Sequence, residues 1–264
     1  MIQFYTTNDA AIDLKKPSRV LKYKLMYCNF GSVSIVIDEN EFVLKPNQVI
    51  TITSGQIHFF KDFTNAELFI LEFSFDFFCK NDHDIELIFH NGLFCHFGMN
   101  EVITISKVEL FKELLLKIGL ELNQKPYQYL ISVHSNIELL LVEINRSKMA
   151  NGDEIWKPDA LFLHFLESVR KHFKNNFTVS KHADLLHTTE AKLNEVSKLH
   201  TGKTAQNVIY SLIVSEAKRR LLYEDTSIKE IAFELGFNDP FYFSNFFKKH
   251  TNLSPKNYKK EVAV

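Results

Sequence analysis

Cysteine is scarce in this chain of 264 residues. Cys28, Cys79 and Cys95 form no CxxC pair and leave an odd count, which speaks against a disulfide framework and fits reduced, mostly buried thiols in a cytoplasmic protein. Long apolar runs are missing too. No stretch reaches 18 uncharged apolar residues, so no membrane span is expected. The opening MIQFYTTNDAAIDLKK lacks the apolar core of a signal peptide. No P-loop, dinucleotide fingerprint, zinc motif or Ser-His-Asp order is present, which leaves an enzymatic reading without a signature. Glycine (8) and proline (6) are few, whereas 25 phenylalanines and a 45% hydrophobic content support a real core and argue against global disorder.

A strong net charge is also lacking, at −1, but the balance is uneven along the chain. Residues 1–159 hold 15 Lys/Arg against 21 Asp/Glu, and residues 160–264 hold 16 against 11. An acidic front and a basic back predict two modules with different partners.

The front reads as β structure over about 20–100. VSIVI (33–37), EFVLK (41–45), VITIT (49–53) and AELFILEF (66–73) are strand candidates, the first three separated by Asp38-Glu39-Asn40 and Pro46-Asn47 turns. Short strands at roughly ten-residue spacing predict a sandwich or small barrel. Helical spacing takes over at 104–148, with Leu110, Phe111, Leu114, Leu115 and Ile118, then Ile131, Ile137, Leu139, Leu140, Leu141 and Ile144. These helices are candidates to cover the sheet or to pair in a homodimer. The domains are therefore set at 1–150, a linker at 151–159 within KMANGDEIWKPD, and 160–264.

From Thr178 onward every element reads as helical. Thr178 or Ser180 can cap one helix and Thr189 the next, up to the Gly202 break. A longer helix spans about Ala205–Tyr223. Ser227 and Glu230 make a capping box, Gly236 supplies a left-handed turn, and Asp239-Pro240 opens another helix. That pattern is a helix-turn-helix, and the stretch around Ala183–Lys198 reads as a second one. The expected inner face of 240–249 is Tyr242, Phe243, Phe246 and Phe247. Its outer face is Phe241, Ser244, Asn245, Lys248 and Lys249, where an Asn can read adenine and lysines can meet phosphates. The outer face of the first unit is Glu190, Ala191, Asn194, Glu195 and Lys198, a weaker surface for a polyanion. The caps Thr189 and Asp239 stand 50 residues apart. The helix between the units, at 1.5 Å per residue, spans about 28 Å, close to the roughly 34 Å between successive major grooves. Lys218, Arg219 and Arg220 on it are candidates to bind phosphate or acidic side chains.

The run Glu216–Leu222, with Ser227–Ala232, Leu235–Pro240, Tyr242-Phe243-Ser244, Phe246–Lys249, Leu253-Ser254-Pro255 and Tyr258, resembles the AraC/XylS family of transcription regulators. The first unit matches at Ala183, Leu193 and Thr201–Thr204. The resemblance implies an α+β protein: seven C-terminal helices holding two helix-turn-helix units, after a cupin-like β barrel. It implies double-stranded promoter DNA as partner, with RNA polymerase, more often for activation than repression, and no cofactor. The barrel resemblance rests on Gly31, the Asp38–Asn40 turn, Leu44-Lys45-Pro46 and Thr53–His58. His58, His83, His90 and His96 do not make a cupin metal set, so no metal is expected. Tyr23, Tyr27, Thr51, His58 and Phe69 are the candidates to line a small-molecule effector site. Two alternatives stay open: a cupin-like enzyme with an accessory helical domain, and an interaction protein that no longer selects a DNA sequence.

Overall fold

The computed structural model describes residues 2–7, 16–94, 100–152 and 156–262. Cys95 and His96 lie outside the described residues, as do parts of the N-terminal stretch and of the expected linker. The chain divides into two compact units, Met1–Lys157 and Pro158–Val264.

The first unit is built on two long strands, β3 (Tyr23–Ile37) and β6 (Ile57–Phe73). They pair antiparallel from Tyr23↔Phe73 to Ile37↔His58, with register shifts around Cys28, Phe30, Ser32 and Ser34. Around this pair stand β1 (Ile2–Thr6), β2 (Ser18–Arg19), β4 (Asn40–Leu44), β5 (Gln48–Ile52) and β7 (Val102–Thr104). The main path is β1-β6-β3-β5-β7, with β2 on β6 and β4 on β3.

This corrects the expected cupin-like barrel. A barrel needs its first and last strands to pair, and here β1 pairs only β6 and β7 only β5 among the described residues. The sheet is open. Its end strands are covered by helices instead: α3 (Val108–Gln124) packs on β1, and α4 (Tyr129–Ala150) on β7. The misreading came from taking VSIVI and AELFILEF as whole strands. Each is the second part of a strand of 15 or 17 residues. Bulges carry those strands past polar or glycine residues that look like breaks. Gly31 allows one such passage: its φ is +79°, and a Cβ there would stand 2.3 Å from the carbonyl of Asn65.

Period-2 alternation sorts the sheet's side chains into two buried sets. Met26, Cys28, Ile50, Ile52, Leu68 and Ile70 share one aliphatic cluster. Tyr23, Tyr27, Phe69 and Phe73 point the other way and meet Phe78, Phe89, Phe94 and Phe111 in edge-on, tilted or stacked pairs. Phe78 lies in α1 (Phe75–Phe78) and Phe89 ends α2 (Asp82–Phe89). In α3 and α4, Phe111, Leu115, Ile118, Val133, Ile137, Leu140 and Ile144 are fully buried at helical spacing. Leu116, Leu120, Ile131 and Leu139 leave an apolar second face in solvent.

The second unit holds seven α-helices among the described residues: α5 (Ala160–Lys171), α6 (Val179–Leu185), α7 (Glu190–Thr201), α8 (Ala205–Tyr223), α9 (Ile228–Glu234), α10 (Pro240–Thr251) and α11 (Pro255–Val262). Phe162, Phe165, Leu193, Val208, Ala217, Leu221, Phe243 and Phe247 are buried at its centre.

Candidate nucleic-acid interface

Both helix-turn-helix units are set by local hydrogen bonds. In the second, Ser227 Oγ accepts the Glu230 N–H at 3.2 Å, and the Glu230 carboxylate accepts the Ser227 N–H at 2.8 Å. At the end of α9, Gly236 takes φ +78° and the Phe237 N–H bonds back to the Ala232 carbonyl at 2.9 Å. Asp239 then accepts the Phe241 N–H at 2.9 Å, and Pro240 occupies the first turn, where no amide hydrogen is needed. In the first unit the caps are Thr178, accepting from Lys181, and Thr189, accepting from Lys192 at 3.1 Å.

These joints fix which face of α10 turns inward. Phe243 and Phe247 are fully buried, against Phe237 and Tyr258. Ile231, Ala232 and Leu235 of α9 are fully buried as well. The inner face is narrower than the sequence predicts: Tyr242 is 67% exposed, and Phe246 is only half-buried, beside Tyr210 and His250. Phe241 is 80% exposed. The outward set is thus Phe241, Tyr242, Asn245, Lys248 and Lys249. Ser244 is half-buried, and its hydroxyl donates to the Pro240 carbonyl at 2.9 Å.

On α7, Leu193 and Val196 face inward, and Glu190, Ala191, Glu195 and Lys198 are exposed. Asn194 acts inside the unit: its amide donates to the Glu190 carbonyl and accepts the Ala205 N–H, both at 3.0 Å, tying α7 to the start of α8. Lys192 was missed by the sequence reading. It is exposed and pairs with Glu195 at 2.7 Å, an i,i+3 arrangement that spacing alone could have revealed.

The basic run on α8 is engaged with acidic partners. Glu216, 2% exposed, lies 2.8 Å from Arg220 and 3.6 Å from Arg219. Arg220 also pairs with Glu234, which links α8 to α9, and lies 3.7 Å from Glu224. Lys218 sits over the Tyr258 ring.

The five effector candidates of the first unit separate. Tyr23 is enclosed by Phe73, Phe75, Phe89 and Phe94. Tyr27 donates to Asn47 at 2.9 Å, Thr51 accepts the Phe94 N–H, and Phe69 packs on Phe4 and Tyr27. These four belong to the core. His58 lines a cavity of about 110 Å³ with Tyr5, Lys24 and Glu72. Lys24 donates to His58 Nε2 at 2.8 Å and pairs with Glu72 at 2.9 Å. Burial first, then the Lys24 charge, push His58 down to about 3, so the ring stays neutral. Among the described residues no three His, Cys, Asp or Glu side chains stand together as metal ligands.

Comparison with known proteins places residues 182–261 on a sequence profile described as "Helix-turn-helix domain". An uncharacterised HTH-type transcriptional regulator in the cgkA 5' region of Pseudoalteromonas carrageenovora is 28% identical over 119 residues, 45% of this chain and 70% of that protein. The HTH-type transcriptional activator RhaS of Escherichia fergusonii is 31% identical over 117 residues, 44% of this chain and 41% of RhaS. The chain thus matches about two-fifths of the length of RhaS. The crystal structure of ToxT from Vibrio cholerae O395 aligns over 98% of this chain and 96% of that one, at 12% identity and a TM-score of 0.45. Both of these relatives are described as HTH-type transcriptional regulators or activators. The C-terminal unit carries a helix-turn-helix domain.

Proposed function

We propose that this chain is a sequence-specific, DNA-binding transcription regulator that places α10 in a major groove of promoter DNA. The observation that carries this reading is the composition of α10's free face. A helix pinned on one side by Phe243 and Phe247 offers Phe241, Asn245, Lys248 and Lys249 on the other. Asn245 reads a base edge by a bidentate pair, Phe241 meets a thymine methyl, and the two lysines meet phosphates. The first unit contributes through Glu190, Ala191, Glu195 and Lys198, with less attraction for the backbone because Lys192 is held by Glu195. Asn194 serves as a brace for α8.

The chain acts in the cytoplasm as a homodimer, more as activator than repressor, with RNA polymerase as its further partner. The exposed Leu116, Leu120, Ile131 and Leu139 supply the subunit contact. No helix of the described residues is long and apolar enough to cross a membrane. A small-molecule effector is sensed in the N-terminal unit.

The test is selection of bound DNA from a random library by the full-length protein at about 150 mM salt, since phosphate contacts make affinity salt-dependent. The expected result is an enriched motif that changes at one position in Asn245→Ala. Lys248→Ala should weaken all sequences evenly and reduce the salt slope by about 1. No enrichment, with or without cell extract, sinks the proposal.

A further inference from the structure

The start of α5 is tied to the end of α7. Asp159 caps α5, its Oδ1 accepting the Phe162 N–H at 2.8 Å. Its other carboxylate oxygen lies 3.1 Å from His200 Nε2, and its own N–H lies 3.3 Å from the same nitrogen. A ring that carries a proton on Nε2 donates to the carboxylate, and a ring that does not accepts from the N–H. Either form of His200 therefore holds Asp159. The ring also packs on the fully buried Phe162, with 5.2 Å between centroids, and the His200 side chain is 10% exposed.

His200 stands in the last turn of α7. Leu193, Val196 and Ser197 bury the helix up to the turn before it. Beyond them, Lys198 and Leu199 are exposed, and the Thr201 hydroxyl donates to the Ser197 carbonyl inside the helix. The contact from this turn to α5 thus runs through His200. The same turn carries Lys198, the cation that the first unit offers a phosphate, since Lys192 is paired with Glu195.

We propose that Asp159 and His200 are a positioning pair for the first recognition helix: their contact keeps the last turn of α7 wound, so that Lys198 meets a DNA phosphate. The pair rests on the reading of this chain as a DNA-binding regulator. Neither residue touches DNA; both act through Lys198. Asp159 stands where the expected linker meets α5, so the pair also couples the path of the linker to the grip of α7. Drawing Asp159 away from His200 releases the turn and with it the phosphate contact.

The test is the salt dependence of binding by full-length protein to its selected DNA sequence, measured at about 50–200 mM salt. Lys198→Ala removes one phosphate contact. Its salt slope should be shallower by about 0.9, and its affinity at 0.1 M salt lower by roughly fivefold to tenfold. His200→Phe keeps a ring on Phe162, removes the nitrogen and should reproduce both changes. The double variant should bind like Lys198→Ala alone, because residues that act through one contact are not additive. His200→Gln places an amide donor and acceptor near the position of Nε2 and should restore the slope. A merely structural His200 would lower the melt and add its loss to that of Lys198→Ala. If His200→Phe does not fold, His200→Leu decides by the same slope. An unmoved slope, additive losses or no rescue by His200→Gln overturns the pair alone, whereas wild-type protein that binds no DNA overturns the DNA reading and the pair together.

Discussion

The two helix-turn-helix units are variations on one joint. In each, an amide beyond the turn bonds back to an alanine carbonyl at 2.9 Å: Thr188 to Ala183 in the first unit, Phe237 to Ala232 in the second. Each turn also needs one residue at positive φ, His187 at 51° and Gly236 at 78°. The second turn is one residue longer before its cap, and its helix buries Phe243 and Phe247 where the first buries Leu193 and Ser197. The free faces diverge more. The sixth helical position is Glu195 in α7 and Asn245 in α10, and the tenth is Leu199 and Lys249. The shared joint fixes where a helix points, while the residues at its open positions decide what it can bind. The two units are therefore equal as architecture and unequal as surfaces for a polyanion.

The largest effect should come from the second joint. Gly236→Ala places a Cβ within 2.9 Å of Lys174 and Asn176 at a left-handed φ. Strain of about 1–2 kcal/mol and overpacking of about 1–3 kcal/mol should together remove about 3 kcal/mol from stability in denaturant melts. Next, Asn245→Ala should cost about 2 kcal/mol of discrimination at one base pair, the scale of a lost bidentate contact. Competition binding with single-base variants of the selected site reads it, and equal loss on every variant would remove Asn245 as a base reader. Third, His187→Gly should stabilise the protein by about 1 kcal/mol by relieving a left-handed side chain. A melt unchanged or lowered breaks the parallel between the two turns. The smallest effect is expected from Glu195→Gln, which frees Lys192. DNA affinity should rise for all sequences, with a salt slope steeper by about 0.9.

What could be read from the sequence follows the range of the interactions. Ser227 with Glu230, Gly236 and Asp239-Pro240 act within a few residues, so the second unit was legible to the level of individual caps. The faces of α10 were legible in part: Phe243 and Phe247 lie inside, but Tyr242 is outside, because a two-residue window on a helix does not fix its rotation against Phe237. The sheet was not legible, because β3 and β6 pair residues up to 50 apart through bulges that look like loop. Its partners across the sheet, Lys24 and Glu72, are likewise distant in the chain. The roles of the effector candidates were not legible for a related reason: an aromatic on a strand looks the same whether it lines a cavity or, like Tyr23, packs among other aromatic rings.

One difference inside the paired joints bears on acidity. His182, in α6, is 2% exposed, with its ring against Phe165, Phe177 and His172 and its Nδ1 2.9 Å from the Ser168 hydroxyl. Ile231 stands at the same place in α9, where nothing can take up a proton. Burial first, then the neighbouring His172, push His182 down to about 4 from its ordinary 6.5. A folded-state value below the unfolded one means that the neutral ring's contribution is complete above about pH 6.5 and drains away as the pH falls towards 4. Mild acid should therefore act as a selective solvent: amide exchange would loosen α5 and α6 while α9 and the buried side of α10 stay closed.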